Sequence, residues 1–192
     1  MANNLYKYFI LHKPYGVLSQ FTDKEGRRTL SELHDFPRDV YPVGRLDMDS
    51  EGLLLLTDDK RLTNFLLNPL REHEKEYYVQ VERIPEEADL ENFRKGLLIE
   101  GKMTLPAKVK IIPDPGFPER NPSVRERKSV ADCWLSVTLT EGRHRQVRKM
   151  TANIGNPTLR LVRVRIKNLF LDGLAGGDVR ELSQKEIEGL KR

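Results

Sequence analysis

The chain has 192 residues, 38% of them hydrophobic and 32% charged, with a formal net charge of +4. Apolar residues spread along most of the length exclude a disordered chain, and the longest apolar run, Leu53 to Leu56, is far shorter than the ~20 residues of a membrane-spanning helix. Cys133 is the single cysteine, which excludes an internal disulfide and a multi-cysteine zinc site, and Met1 to Tyr8 lack an apolar signal segment; we expect a reducing, cytoplasmic setting.

Tyr6 to His12 predicts a strand ended by Pro14 and Gly16, and Val17 to Phe21 a short second one. A polar stretch from Thr22 to Asp39 holds a weak helix around Thr29 to Leu33. Leu53 to Thr57 predicts a buried strand, and Asp59 to Leu67 a helix stopped at Asn68-Pro69. Lys75 to Glu82 alternates as a strand does. Pro85 to Lys95 predicts a helix ended by Gly96. Met103 to Leu105 and Ala107 to Ile112 predict strands. Residues 113–129 contain four prolines and form a long loop, functional or mobile. Val130 to Leu139 predicts a strand, His144 to Ile154 a helix, Thr158 to Ile166 a strand and Val179 to Leu182 a short one. Ser183 to Glu186 fits a capping box for a last helix. Many strands with interspersed short helices and no regular βαβ alternation indicate an α+β fold with a largely antiparallel sheet.

The charge is not evenly spread. Of 33 bases and 29 acids, seven bases and one acid lie between Glu141 and Arg165, which leaves 26 bases and 28 acids elsewhere. The whole positive excess therefore sits in one window: Arg143, Arg145, Arg148, Lys149, Arg160, Arg163 and Arg165. Six of these are arginines, whose planar fork suits phosphate and base stacking. A basic helix followed by a strand with arginines on one face makes a surface that can follow a polyanion, with strongly salt-dependent binding. A solvated helix face is the competing interpretation.

The densest chemical signal is Gly44-Arg45-Leu46-Asp47-Met48-Asp49-Ser50-Glu51-Gly52, an acidic loop at the start of a buried strand. Three interpretations fit it. Asp47 is a nucleophile or base, as carboxylates are in glycosyl-transfer chemistry. Asp47 and Asp49 form a D-x-D metal site, although no further acidic cluster has ligand spacing. Or the loop is only a turn whose Asp and Ser side chains satisfy backbone donors.

GRLDMDSEGLLLLTDD, residues 44–59, closely resembles the catalytic motif of pseudouridine synthases of the RsuA/RluB/RluE/RluF family. His12 to Val17 (HKPYGV) resembles that family's K-P-x-G segment, Lys75-Glu76-Tyr77 its K-x-Y motif, and Glu141 to Met150 its third motif. The matches cover Tyr8 to Leu182 in the family's order and spacing. Many members begin with an S4-type RNA-binding domain. This chain is expected to start directly at the catalytic domain, in which it is similar to the large-subunit rRNA synthase E subgroup, and Arg145 to Arg163 resembles that subgroup too.

The resemblance implies a single catalytic domain over residues 1–192. Its fold would be the α+β pseudouridine synthase fold: a mixed, largely antiparallel sheet in two lobes with a central RNA-binding cleft. Asp47 would be the catalytic carboxylate, acting at C1′ covalently, by assisting glycal formation, or by adding to the base. Arg148 resembles the arginine that pairs with this aspartate, a neighbouring cation favouring the ionised form; a phosphate contact is the alternative. Tyr77 resembles the tyrosine that packs on the flipped base, against the alternative of a core aromatic. Arg45 would hold the displaced nucleotide, because a base must leave the stack to reach a carboxylate. Lys13 is placed at the pocket rim or in a surface salt bridge. His144 is an RNA contact or a helix-start residue, and Arg143, Arg145, Lys149, Arg160, Arg163 and Arg165 are RNA contacts. Cys133 is expected to be a buried small hydrophobe, against the alternative of a nucleophile.

Rearrangement within one nucleotide has no net redox or phosphoryl demand, so neither a cofactor nor a metal is expected, and no phosphate-binding glycine loop occurs. The expected partner is rRNA, large-subunit rather than small-subunit, with the protein acting as a monomer. A non-catalytic RNA-binding or ribosome-assembly module on the same fold is the competing function. The intact Asp47, Tyr77 and Arg148 set argues against it.

Overall fold

Most of the hydrophobic runs and alternating segments form strands. The computed structural model describes residues 6–124 and 131–192. In chain order the regular elements are β1 (Tyr8–Lys13), β2 (Tyr41–Pro42), β3 (Glu51–Thr57), α1 (Lys60–Leu67), β4 (Lys75–Glu82), α2 (Glu87–Lys95), β5 (Leu98–Ile99), β6 (Lys102–Met103), β7 (Lys108–Ile112), β8 (Asp132–Leu139), α3 (Gln146–Asn153), β9 (Thr158–Ile166), β10 (Leu169–Phe170), β11 (Val179–Glu181) and α4 (Gln184–Lys191). They fall into two compact units, Met1–His73 with Arg163–Arg192, and Glu74–Val162. The boundary lies within β9.

In the first unit β1 lies between β11 and β3, antiparallel to both, with Phe9 opposite Glu181 and Leu56, and Lys13 opposite Gly52. Every residue of β1 and β3 is buried, which explains why the Leu53–Leu56 run lacks the alternation of a strand with one wet face. One side packs Phe9, Leu11, Leu54 and Leu56 against Val17, Leu30 and Val40. α1 and α4 contribute buried Leu62, Leu66, Ile187 and Leu190. α4 begins with the expected capping box: Ser183 Oγ accepts from Glu186 N, and the Glu186 carboxylate accepts from Ser183 N at 2.8 Å.

In the second unit β8 lies between β4 and β7, again antiparallel, with Tyr77 and Val109 both opposite Val137. Val79, Val81, Leu135 and Val137 from these strands meet Leu90 and Phe93 of α2, Val147 and Met150 of α3, and Leu161 of β9.

Three expectations change. The expected Met103 to Leu105 strand is instead the two-residue β6, Lys102–Met103, paired with β5. Val17 to Phe21 forms no strand; Leu18 makes one isolated bridge to Thr29, because the following residues turn tightly around Asp23. Its carboxylate accepts from the backbone of Glu25 and Arg27 and from the Arg27 guanidinium. The Thr29–Leu33 helix shrinks to one 3-10 turn, Leu30–Glu32. Residues 113–124 carry no regular element; the remainder of the expected 113–129 loop lies outside the described residues.

Asp59 links α1 to β1. Its Oδ1 caps the helix by accepting from Arg61 N and Leu62 N, both at 3.0 Å, and Oδ2 accepts from the buried Tyr8 hydroxyl at 2.7 Å. Burial first, and this carboxylate second, push the Tyr8 phenol well above its ordinary pKa. Asp59→Ala removes the cap and orphans the hydroxyl. We expect a loss of about 2 kcal/mol in urea unfolding, with Asp59→Asn, which keeps the cap acceptor, losing less.

Candidate active site

The acidic loop is fastened at its backbone. Val43 N donates to Leu55 O at 2.7 Å and tethers the chain to β3 just before Gly44. Leu46 is buried, and the Ser19 hydroxyl both accepts from Leu46 N (3.0 Å) and donates to Leu46 O (2.7 Å). Gly16 N donates to Met48 O at 2.8 Å, and Ser50 N to Asp47 O at 3.0 Å. Asp47, half-buried, is thus held at the residues before and after it by the Gly16–Ser19 segment. Two stretches that are separate in sequence form one rigid mount. Ser19 carries no periodicity or motif signal, so sequence reasoning missed it.

Beneath the loop, Lys13 is not at a rim. It is 0% exposed, and its Nζ donates to Pro14 O (2.9 Å) and Val17 O (2.7 Å). Burial pulls its pKa down to about 8, a fall opposed by the carboxylates of Glu51, Asp49 and Asp47 in that order and reinforced by Arg163. Arg163 is also interior, 4% exposed, with Nε donating to Leu53 O at 2.8 Å. Its Nη2 is buried with no hydrogen-bond partner among the described residues. Gly52 explains why these groups lie so close. It has φ +108°, and a methyl group there would fall inside 3.0 Å of the backbone N, C and O of Arg163. Only glycine lets the two backbones touch.

In the second unit, Tyr77 is half-buried on β4 and packs against the core, while Tyr78 faces Phe117 with ring centroids 6.2 Å apart. Arg148 is half-buried on α3 and already engaged in interactions. Glu141, which the charge pattern does not single out, organises the entry to α3. It accepts from Leu105 N (2.8 Å), Gln146 Nε2 (2.6 Å) and Arg143 Nε (3.1 Å). Arg143 also donates to Lys102 O and Met103 O. Arg145 turns the chain into the helix with φ +53°.

The basic window is therefore not one uniform face. Arg160 is 7% exposed, donates to Pro118 O at 2.9 Å and lies over the Phe117 ring. With Arg163 it sits in the interior, where a strand face of RNA contacts was expected. Lys149 pairs with Glu100 at 2.7 Å, and Arg165 donates to Lys167 O at 3.1 Å. His144 and Arg45 are exposed, and Arg145 is half-buried. Among the described residues no group of three or more His, Cys, Asp or Glu could hold a metal ion, the D-x-D pair and its neighbours included.

These features define a class. Residues 7–153 match the family model described as RNA pseudouridylate synthase, and the chain belongs to that family. It is 50% identical over 177 residues to ribosomal large subunit pseudouridine synthase E of Vibrio vulnificus, covering 92% of this chain and 75% of the relative. It is 52% identical over 169 residues to the protein of that name from Xanthomonas axonopodis, covering 86% and 88%. Ribosomal large subunit pseudouridine synthase B of Bacillus subtilis is 37% identical, with 96% of this chain and 71% of the relative covered. Among solved structures, a pseudouridylate synthase superimposes with a TM-score of 0.80 at 32% identity, covering 96% of this chain and 74% of that one. The chain is thus a pseudouridine synthase with the α+β fold that the motifs implied.

Two measurements check the mount. Gly52→Ala forces β3 away from Arg163 and costs ~3 kcal/mol or more of stability, read by urea unfolding. For Lys13, the folded pKa near 8 lies below the unfolded value of 10.5. Between these values the unfolded chain holds more protons, so this residue's contribution to stability rises with pH across the window. Below about 8 both states are protonated and the buried charge carries its full cost. The stability of the parent relative to Lys13→Met should improve by up to about 3 kcal/mol from pH 7.5 to 10.5.

Proposed function

We propose that this protein converts a specific uridine of large-subunit rRNA to pseudouridine, with Asp47 as the catalytic carboxylate. The observation that carries the assignment is the fastening of the backbone at Leu46 and Met48, on either side of Asp47, by Ser19 and Gly16. A backbone held on either side of one residue limits where its carboxylate can reach, which attack at one sugar carbon requires. The names of the relatives at 50–52% identity support the large ribosomal subunit as the source of the substrate.

The reaction breaks the N1–C1′ bond, turns the base and joins C5 to C1′. N1 gains a proton and C5 loses one, so the product is an isomer. The uridine must leave any helix before the carboxylate can act. Exposed Arg45, two residues before Asp47, suits the displaced backbone. The roles of Tyr77 on the flipped base and of Arg148 in favouring the ionised carboxylate rest on the motifs that contain them. We also read the working enzyme as a cytoplasmic monomer.

Asp47→Asn should reduce tritium release from C5-labelled rRNA by at least ~10³-fold. The Kd for the same RNA should stay within about threefold, since a carboxylate adds little to polyanion affinity. Normal turnover by the variant would reject Asp47 as catalytic. An inactive parent with intact RNA binding would favour the non-catalytic module.

A further inference from the structure

Beside the acidic loop, in the first unit, is a pocket of about 720 Å³ that no motif accounts for. Its volume is within the range of small-molecule sites. Phe21, Phe36 and Tyr41 line it, together with Gly44 and two arginines, Arg38 and Arg45, and no carboxylate is among the lining residues. Phe21 and Phe36 are seated by the core beneath them. Phe21 holds an edge contact to each of the other rings, at 5.6 Å to Phe36 and 6.2 Å to Tyr41. Tyr41 stands apart from its neighbours. On the two-residue strand β2, it is 61% exposed, although its backbone is fixed opposite Thr57 of β3. A rigidly mounted, exposed aromatic with exposed arginines around it has the composition of a base-stacking platform with backbone-binding cations.

Resting on the rRNA assignment above, we propose that this pocket receives a nucleobase of the substrate RNA other than the target uridine, stacked on Tyr41. Arg38 and Arg45 bind the adjoining phosphates. The pocket is continuous with Gly44 and Arg45, which open the Asp47 loop, so a nucleotide held there is close along the strand to the one being isomerised. It therefore contributes to the choice of uridine through a flanking position. It is a subsite separate from Asp47.

Three readouts test this on the full-length protein with an rRNA fragment containing the modified site. Tyr41→Ala should raise KM about tenfold, with the loss falling on KM rather than kcat, and Tyr41→Phe should restore it. Single abasic replacements scanned around the target should include one position that weakens the parent about as much and leaves Tyr41→Ala unaffected. Tyr41→Trp should show emission quenched by the fragment, after correction for Trp134, the chain's one tryptophan. The last readout needs no turnover. An inactive protein whose Tyr41→Trp variant is still quenched by the fragment would reject the function and keep the pocket. Emission unchanged at saturating RNA, as a protein-docking surface would give, overturns the proposal. So does a Tyr41→Ala KM within twofold of the parent, or the absence of any abasic position coupled to Tyr41.

Discussion

Gly52 and the backbone of Arg163 approach so closely that no side chain fits between them, and the rest of the catalytic mount depends on this contact. On its other edge β3 is zipped to β1, with Lys13 opposite Gly52. The buried lysine, the first residues of β3 and the end of the acidic loop thereby lie close together. Ser19 and Gly16 then clamp the loop backbone at Leu46 and Met48. The strand core is the rigid element, and the loop borrows its rigidity, which is the arrangement a carboxylate needs if it is to be aimed at one carbon atom.

Two cations inside this mount are costly to bury, and their surroundings show how the cost is offset. Lys13 meets two backbone carbonyls and the field of three carboxylates, yet burial still dominates and lowers its pKa to about 8. Arg163 relies on the Leu53 carbonyl and tolerates a buried Nη2 without a hydrogen-bond partner among the described residues. Glu51, Asp49 and Asp47 concentrate negative charge in the same place. The Lys13 charge offsets part of that concentration. Lys13 and Arg163 are both interior, so neither offers its charge at the surface.

That changes the meaning of the basic window. A count of charges cannot distinguish an arginine on a strand face from one inside a sheet, because both alternate with apolar residues. Arg160 and Arg163 are interior, and Arg143 is held by Glu141 and two carbonyls. Besides Arg143, the exposed or half-buried basic residues and histidine of the window are His144, Arg145, Arg148, Lys149 and Arg165, while Arg38 and Arg45 bring cations from outside it.

Local pattern alone determined most of the elements. The alternation of Lys75–Glu82 and of Thr158–Ile166 yields strands with those bounds, and Asp59 and Ser183 cap the helices that follow them. In these cases the stabilising interactions lie within a few residues, so the sequence contains them. Glycine-bracketed acids before an apolar run likewise marked the Asp47 loop. Two-residue strands such as β2 have no period to detect, and Val17–Phe21 had strand composition without a partner long enough to pair with. Tertiary structure decided that Lys13 and Arg163 are buried, that Ser19 holds Leu46, that Glu141 organises the entry to α3 and that Tyr41 lines a pocket. Each depends on residues brought together from distant parts of the chain, and the burial and close approach that result are properties of the packed backbone, which no local pattern encodes.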